Sequence, residues 1–279
     1  MSTGGRLFLD VGSSRIKGGW YAPPPACDGG GENSLFPLTT AQLAEPDALA
    51  AFVHRGRPGD AWRGDLRQWL GNLPPALTTW LATVHPRVAD EVDALLQESG
   101  RAASRRLTYR DLPLEIRVER PERVGVDRLL AAVAVNRVRA PHTPAITVDA
   151  GTAITVDLVE SDGAFAGGAI APGLALAASS LHGGAPQLPE LQVTVAPPWR
   201  LGKSTEEALA AGIFWGTAGG IAELVRRVEP TSAEPAELYV TGGDAAVLRG
   251  ALAEMLGRPL RHVPHLVLAG AALAADDPR

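Results

Sequence analysis

Residues 7–17 are Leu7-Phe8-Leu9-Asp10-Val11-Gly12-Ser13-Ser14-Arg15-Ile16-Lys17, and residues 146–157 are Ile146-Thr147-Val148-Asp149-Ala150-Gly151-Thr152-Ala153-Ile154-Thr155-Val156-Asp157. Each stretch is a short apolar run, then Asp-x-Gly-hydroxyl, then a second β-type run. This pattern predicts two β-hairpins with a carboxylate, a glycine and a hydroxyl at each tight turn. The repetition predicts a chain built from two structurally similar halves.

The two predicted turns suit phosphate binding. Glycine lets backbone N–H groups approach phosphate oxygens, and the hydroxyl groups can donate further hydrogen bonds. An aspartate at each turn can hold a cation or its water ligands. Two such hairpins that face each other across a cleft would form a phosphate clamp.

The composition indicates a soluble globular protein with room for two domains. The chain has 279 residues, of which 46% are hydrophobic and 20% charged, and its net charge is −5. That charge disfavours nucleic-acid binding. A single cysteine excludes an intrachain disulfide framework and indicates a reducing, cytoplasmic setting. The N-terminus shows no signal pattern, and we expect no apolar run of membrane-spanning length.

Strand and helix patterns alternate along the chain. Beyond the hairpins, helices are predicted over 45–55, 60–70, 86–99, 126–138, 174–181, 204–227, 245–256 and 264–275, and strands over 76–84, 114–118, 237–241 and 260–263. A glycine-rich connection is predicted over 165–173, and Ser204 with Glu207 predicts a capping box. The predicted class is α/β, with mixed sheets covered by helices. We place the domain boundary so that residues 1–122 and 123–279 form the two domains.

Six motifs follow one another in an order that resembles a known family. They are Asp10-x-Gly12-Ser13-Ser14-Arg15-Ile16-Lys17 with Trp20, Pro121-x-x-Val124-Gly125-Val126-Asp127-Arg128, Asp149-x-Gly151-Thr152-Ala153-x-Thr155-x-Asp157, Gly167-Gly168-x-Ile170-x-Pro172-Gly173, Gly202-Lys203-Ser204-Thr205-Glu206-Glu207-Ala208, and Thr241-Gly242-Gly243-Asp244-Ala245. The chain resembles the type III pantothenate kinases, a bacterial family that includes proteins named Bvg accessory factor. The resemblance implies the two-domain actin/hexokinase/sugar-kinase fold, which is ribonuclease H-like, with a cleft between the domains.

The resemblance implies a reaction and roles for particular residues. The reaction is ATP-dependent phosphorylation of pantothenate to 4'-phosphopantothenate, the first step of coenzyme A biosynthesis. Asp127 is implied as the base that accepts the proton of the pantothenate hydroxyl. The implied ATP-binding residues are Asp10, Val11, Gly12, Ser13, Ser14, Arg15, Ile16, Lys17, Thr152, Gly242 and Gly243. The implied pantothenate-binding residues are Val118, Gly125, Val126, Asp127, Arg128 and Ala185.

The resemblance also implies cofactors and partners. Asp10 is expected to position Mg²⁺ through water, and Asp149 to bind a monovalent cation, K⁺ or NH₄⁺. We expect ATP and pantothenate as ligands, a homodimer in the cytoplasm, and neither nucleic acid nor a membrane as a partner. The apolar stretch 174–181 fits either a subunit interface or core packing.

Other interpretations remain open for several residues. The family usually has Asn, an aromatic residue and Thr at the positions of Ser13, Val118 and Ala185. These departures leave two alternatives, which are a weak or inactive accessory protein and a kinase for another small hydroxyl substrate. Without the resemblance, Asp127 could simply serve the helix N-terminus, and Gly242 with Gly243 could form an ordinary turn.

The histidines are predicted to form no metal site, and three tryptophans are predicted to have packing roles. The closest histidine pair is His262-x-x-His265, which Pro264 interrupts, so we expect no metal site there. Trp62, Trp69 and Trp80 are predicted to be core or subunit-packing residues.

Overall fold

A computed structural model describes residues 5–23, 42–55, 61–74, 78–199, 201–230 and 235–277. The strands are β1 (Arg6–Val11), β2 (Arg15–Tyr21), β3 (Ala48–Val53), β4 (Thr78–Thr83), β5 (Arg105–Arg106), β6 (Ala145–Ala150), β7 (Ala153–Val159), β8 (Phe165–Pro172), β9 (Glu237–Thr241) and β10 (Arg261–His262). The α-helices are α1 (Ala61–Gly71), α2 (Pro86–Glu98), α3 (Val126–Val138), α4 (Leu174–Gly184), α5 (Thr205–Val228), α6 (Ala245–Leu256) and α7 (Leu266–Asp276).

The chain divides into two compact units. Unit 1 comprises Met1–Leu114, Glu119–Val138 and Leu266–Arg279, and unit 2 comprises Glu115–Val118 and Arg139–His265. Each unit has its own mixed five-stranded sheet with helices packed on it. The predicted α/β class is therefore confirmed.

Unit 1 has its sheet in the order β3-β2-β1-β4-β5. The helices α1 and α2 pack over one face, where alternate residues such as Leu7, Leu9 and Val11 point into a common core. The helices α3 and α7 contact each other and the sheet, with Leu268 of α7 packed beside Gly19. Helices thus cover the strand that carries Asp10 on both of its faces.

The tryptophans of unit 1 belong to its core. Trp62 is 5% exposed and Trp80 is 8% exposed, and Trp69 packs against the same cluster. Gly18 makes room for Trp69, because a Cβ at position 18 would lie 2.6 Å from the indole ring. Of the two predicted alternatives, core packing and subunit packing, the structure supports core packing for these three residues.

Unit 2 repeats the strand plan of unit 1. Its sheet has the order β8-β7-β6-β9-β10, and α4, α5 and α6 share a core with Ile146, Val148, Ile154 and Val156. In both units a central hairpin pairs antiparallel with a third strand on one side and parallel with further strands on the other. The prediction of two similar halves is confirmed.

The two units are not consecutive halves of the chain. The helix α3 and the C-terminal helix α7 both belong to unit 1, so the division differs from the predicted domains 1–122 and 123–279. The helices α3 and α7 pack closely because Gly270 of α7 lacks a side chain. A Cβ at position 270 would lie 1.9 Å from the Leu130 carbonyl oxygen of α3. Local patterns cannot show which distant helix fills such a gap.

Three predictions of secondary structure are wrong. The predicted helix over 45–55 is strand β3, because its backbone pairs antiparallel with β2. The glycine-rich connection over 165–173 is strand β8, in which Gly168 leaves room for the buried Asp157 carboxylate of β7. The predicted strand over 114–118 is reduced to one bridge between Ile116 and Phe165.

The expectation that no apolar run reaches membrane-spanning length does not hold for helix α5. Its 24 residues are long and apolar enough, by length and composition, to cross a membrane. The buried side chains of Ile213, Phe214, Ile221 and Val225 pack in the core of unit 2. Ser204 caps its first turn by accepting a hydrogen bond from the Glu207 N–H at 3.1 Å. Since core helices pass the same test, this finding assigns no membrane role.

Candidate active site

The first hairpin places a carboxylate and an ammonium group on one face of the unit 1 sheet. Asp10 and Lys17 are directly opposite each other in the β1–β2 register, and side chains in such pairs project from the same face. Asp10 is 7% exposed, whereas Lys17 is half-buried. In the second hairpin the residue opposite Asp149 is Thr155, so only the first hairpin carries this acid–base pair.

The first turn is held in place by both neighbouring strands. The Gly12 N–H donates to the Arg15 carbonyl at 3.0 Å, and the Val84 N–H, just after β4, donates to the Val11 carbonyl at 3.1 Å. On the other side, the backbone N–H of His54 donates to the Ser14 carbonyl at 3.1 Å. A turn braced in this way can present its N–H groups and hydroxyls to an anion without moving.

Asp127 lies in the first turn of α3. Its Oδ1 accepts a hydrogen bond from the Arg128 backbone N–H at 2.9 Å. Burial raises the pKa of the Asp127 carboxyl, while that hydrogen bond and the charges of Arg128 and Lys17 act in the opposite direction. Burial dominates, so Asp127 takes up a proton more readily than an ordinary aspartate.

Gly125 is required by the position of the Asp127 carboxylate. A Cβ at position 125 would lie 2.5 Å from Asp127 Oδ1 and 3.4 Å from the Val84 side chain. The Gly-x-Asp spacing therefore has a steric reason. The same Val84 follows the strand next to the first hairpin, so Asp127 and the first turn are fixed by adjoining parts of unit 1.

The second hairpin brings Asp149 together with Gly242 in unit 2. β6 and β9 are parallel neighbours, and Gly242 directly follows β9 with a φ of +98°. A Cβ at position 242 would lie 2.5 Å from Asp149 Oδ1 and 2.3 Å from the Ala150 carbonyl oxygen. Glycine is thus needed both for the backbone conformation and for the space that the carboxylate occupies.

The turn that carries Thr152 packs closely against Gly173. The Gly173 N–H donates to the Thr152 carbonyl at 3.0 Å, and a Cβ at position 173 would lie 2.0 Å from the Gly151 carbonyl oxygen. The turn itself contains two residues, Gly151 and Thr152, whereas the first hairpin has three, Gly12 to Ser14. The two predicted phosphate-binding turns therefore differ in shape.

Several predicted site residues point away from solvent. Val11, Ile16 and Val126 have buried side chains, so only their backbone groups are available to a ligand. Ser13 and Arg15 are exposed at the first turn, and Arg128, Thr152 and Gly242 are half-buried. Gly243 lies in the turn between β9 and α6.

The predicted pantothenate positions lie in different places. Gly125, Asp127 and Arg128 are in unit 1, whereas Val118 and Ala185 are in unit 2. Val118 packs beside Gly167, since a Cβ added at position 167 would lie 3.4 Å from the valine side chain. Ala185 ends α4, where its N–H donates to the Leu181 carbonyl at 2.9 Å.

The carboxylates fit cations that bring most of their own ligands. Among the residues that the structure describes, no group of three or more His, Cys, Asp or Glu side chains could hold a metal ion. Mg²⁺ in phosphoryl-transfer sites typically has one or two protein carboxylates together with phosphate oxygens and water. Single carboxylates such as Asp10 and Asp149 suit that kind of shared coordination, and they do not suit a protein-only cage.

Sequence patterns did not indicate the residues that brace the site. His54 bonds the first turn through both its backbone and its ring, yet it lies outside all six sequence motifs. Gly173 belongs to one of the motifs, but its supporting role depends on its close approach to Gly151, which the motif does not indicate. Both residues act through pairing with distant strands, which has no local signature.

Comparison with known proteins identifies the family. The family model described as Type III pantothenate kinase matches residues 6–227. The type III pantothenate kinase of Maricaulis maris is 42% identical over 142 residues, which cover 50% of this chain and 53% of that protein. The one from Frankia alni is 35% identical over 200 residues, which cover 68% of this chain and 76% of that protein. The chain spans about half the length of several curated relatives that it matches.

Solved structures share the fold at low identity. The activator of 2-hydroxyisocaproyl-CoA dehydratase from Clostridium difficile, solved with bound ADPNP, is 14% identical, with a TM-score of 0.57 over 98% of this chain and 94% of its own. Such a likeness shows the fold alone. The predicted actin/hexokinase-like fold is confirmed. Since the family model covers most of the sequence and the Frankia alni relative covers two thirds of it, the chain belongs to the type III pantothenate kinase family.

Proposed function

We propose that this protein transfers the γ-phosphoryl group of ATP to the primary hydroxyl of pantothenate and forms 4'-phosphopantothenate, the first step of coenzyme A biosynthesis. The observation that supports this most directly is Asp127. It is a carboxyl with a raised pKa at the start of α3, within electrostatic reach of Lys17 from the first hairpin. In a chain of this family, this arrangement supports Asp127 as the base and Lys17 as a phosphate ligand.

The proposed role of Asp127 is general base catalysis. Its ionised carboxylate accepts the proton as the pantothenate oxygen bonds to the γ-phosphorus and the bond to the ADP oxygen breaks. A carboxyl with a raised pKa is a stronger base than an ordinary aspartate. The hydrogen bond from the Arg128 N–H holds Oδ1, so the orientation of the carboxylate is set before the substrate arrives.

The proposed phosphate ligands come from both hairpins. In unit 1, the N–H groups and hydroxyls of the turn 12–14 and the Lys17 ammonium would bind and orient the transferred phosphate. In unit 2, Thr152 and the backbone at Gly242 and Gly243 would hold the rest of the nucleotide. Developing negative charge on the phosphate is stabilised most by donors that are already fixed, and the bonds that brace the first turn support this role.

Cations would complete the charge balance. We propose that Asp10 holds Mg²⁺ through water and that Asp149 binds K⁺ or NH₄⁺. When bound, these ions supply positive charge next to the phosphate oxygens. The low exposure of Asp10 and the packing of Asp149 against Gly242 support single, well-oriented carboxylate ligands.

The proposed function predicts ADP formation that depends on pantothenate. Purified protein with MgCl₂, KCl and millimolar ATP should release ADP when pantothenate is added, measured by a coupled assay, with 4'-phosphopantothenate identified by mass spectrometry. Reactions without pantothenate serve as the control. Binding of ATP without any turnover of pantothenate would contradict the proposal. Turnover of a different hydroxy acid from a substrate panel would redirect it to that substrate.

We also propose a cytoplasmic homodimer. The support is an apolar cavity of about 570 Å³ in unit 2, lined by α4, α5 and the end of β8, with Leu181 43% exposed beside it. Large exposed apolar surfaces commonly mark subunit interfaces. Sedimentation velocity at micromolar concentration should give twice the mass of one chain, and a monomer under these conditions would rule out a stable dimer.

A further inference from the structure

The side chain of His54 contacts the first hairpin turn. His54 directly follows β3, and its Nε2 lies 2.9 Å from the Gly12 carbonyl oxygen. A carbonyl oxygen can only accept, so Nε2 carries the proton and donates the hydrogen bond. The bond joins residues 42 positions apart in sequence.

The backbone of the same segment holds the other end of the turn. The N–H groups of His54 and Arg55 both donate to the Ser14 carbonyl, at 3.1 and 3.4 Å. Two of the three carbonyl groups of the turn 12–14 are therefore bonded to one short segment. A carbonyl oxygen that rotated toward a phosphate would repel it, and these bonds keep both oxygens turned away.

The ring of His54 is fixed by two other rings. It lies edge-on to Trp62 of α1 and to His85, with centroids 6.4 and 5.5 Å apart. His85 is fixed in turn, because it caps α2 by accepting the Val88 N–H at its Nδ1. A half-buried ring with such neighbours can hold one rotamer.

Two roles are compatible with these contacts. A purely structural role would dock β3 on the hairpin, but the backbone bonds to Ser14 and the strand pairing already do so. Besides its ring contacts with Trp62 and His85, the side chain adds the bond to the Gly12 carbonyl, which fixes the Gly12–Ser13 peptide. That peptide includes the N–H of Ser13, a group in the proposed phosphate ligand set.

We propose that His54 is a positioning residue for nucleotide binding, which acts by fixing the Gly12–Ser13 peptide through its Nε2–H bond to the Gly12 carbonyl. This inference rests on the proposed function, because the phosphate role of the turn is part of it. His54 itself is not proposed to touch a substrate atom. Replacing His54 should therefore weaken the binding of ATP and leave the binding of pantothenate unchanged.

The test compares two substitutions of His54. His54→Phe keeps a flat ring beside Trp62 and His85 but removes the donor, whereas His54→Gln keeps an N–H at a similar reach. We expect His54→Phe to weaken binding of Mg-ATP about tenfold in calorimetry and to raise KM for ATP equally, with KM for pantothenate unchanged. His54→Gln should stay within about threefold of the wild type. His182→Phe, which removes a similar ring bond to the Leu188 carbonyl in unit 2, should leave ATP affinity unchanged.

The outcomes separate this inference from the proposed function. Equal ATP affinity in the wild type and His54→Phe, or equal losses in His54→Phe and His54→Gln, would overturn it. If His54→Phe only reduces the fraction of folded protein, the apparent kcat falls while both KM values stay the same. That result would also contradict the inference. If the wild type binds ATP but does not phosphorylate pantothenate, the proposed function fails, and calorimetry still decides the role of His54.

Discussion

Replacing Asp127 by asparagine is expected to slow phosphoryl transfer by orders of magnitude and, at the same time, to make the folded protein more stable. Asparagine keeps the shape and can still accept the hydrogen bond from the Arg128 N–H. It cannot accept the proton of the acceptor hydroxyl, so we expect kcat to fall by about 10²–10⁴-fold. It also carries no charge, which removes the cost of burying an ionised carboxylate.

The pH dependence of both effects follows from the raised pKa of Asp127. The folded state prefers the protonated carboxyl, so this group favours folding at low pH, and its contribution is lost as pH rises through the raised pKa. The stability gain of Asp127→Asn should therefore be small at pH 3 and reach its full size above that pKa. Turnover by the wild type should rise over the same pH range, because the base must be ionised to act.

Urea denaturation at several pH values, together with the ADP release assay, measures both effects. Glu122→Gln is the matched control, because it removes an exposed acid five positions earlier and should change neither stability nor turnover. An Asp127→Asn protein that keeps wild-type kcat would exclude Asp127 as the base. A variant that loses activity together with stability would instead support a role for Asp127 in capping α3.

Replacing Gly242 by alanine is expected to damage unit 2 and its proposed nucleotide site together. Position 242 has a φ of +98°, and the new Cβ would lie 2.3 Å from the Ala150 carbonyl oxygen. The backbone conformation alone costs about 1–2 kcal/mol for a residue with a side chain, and the clash adds to it. Relief of the clash must displace the end of β6 or the Asp149 carboxylate, so ATP affinity should fall as well.

Gly250→Ala provides the matched comparison for Gly242→Ala. Gly250 is exposed within α6, and a Cβ there meets no atom within 4 Å among the residues that the structure describes. The same chemical change should therefore raise the free energy of unfolding by about 0.5–1 kcal/mol. Urea denaturation and calorimetry with Mg-ATP measure both variants. If Gly242→Ala matches Gly250→Ala in stability and in affinity for Mg-ATP, the packing of Asp149 against Gly242 contributes to neither.

Much of the fold was predictable where a local pattern is sufficient. The two hairpins, the helix α3 and the cap of α5 by Ser204 all follow from spacing within a few residues. The strand β3 was not, because helical spacing in 45–55 is overridden by pairing with β2. Likewise, β8 contains Gly167 and Gly168, and only its pairing with β7 makes it a strand.

The candidate site shows the same division. Asp10 and Asp149 stand in Asp-x-Gly-hydroxyl motifs whose residue types indicate phosphate binding, whereas the roles predicted for Asp127 and Gly242 come from the family resemblance. Their surroundings could not be predicted, because they depend on which strands and helices meet. The raised pKa of Asp127 comes from burial, and the bond from His54 to Gly12 spans two strands of the sheet.

The sequence by itself determined the family, the paired hairpins and the set of acids, since each of these is written in short runs of residue types. Only the tertiary structure decided that α3 and α7 join unit 1, that Asp149 packs against Gly242, and that His54 holds the first turn. The physical reason is that these features depend on close approach between residues far apart in the chain. Such approach is set by the packing of whole elements, which no local pattern of residues encodes.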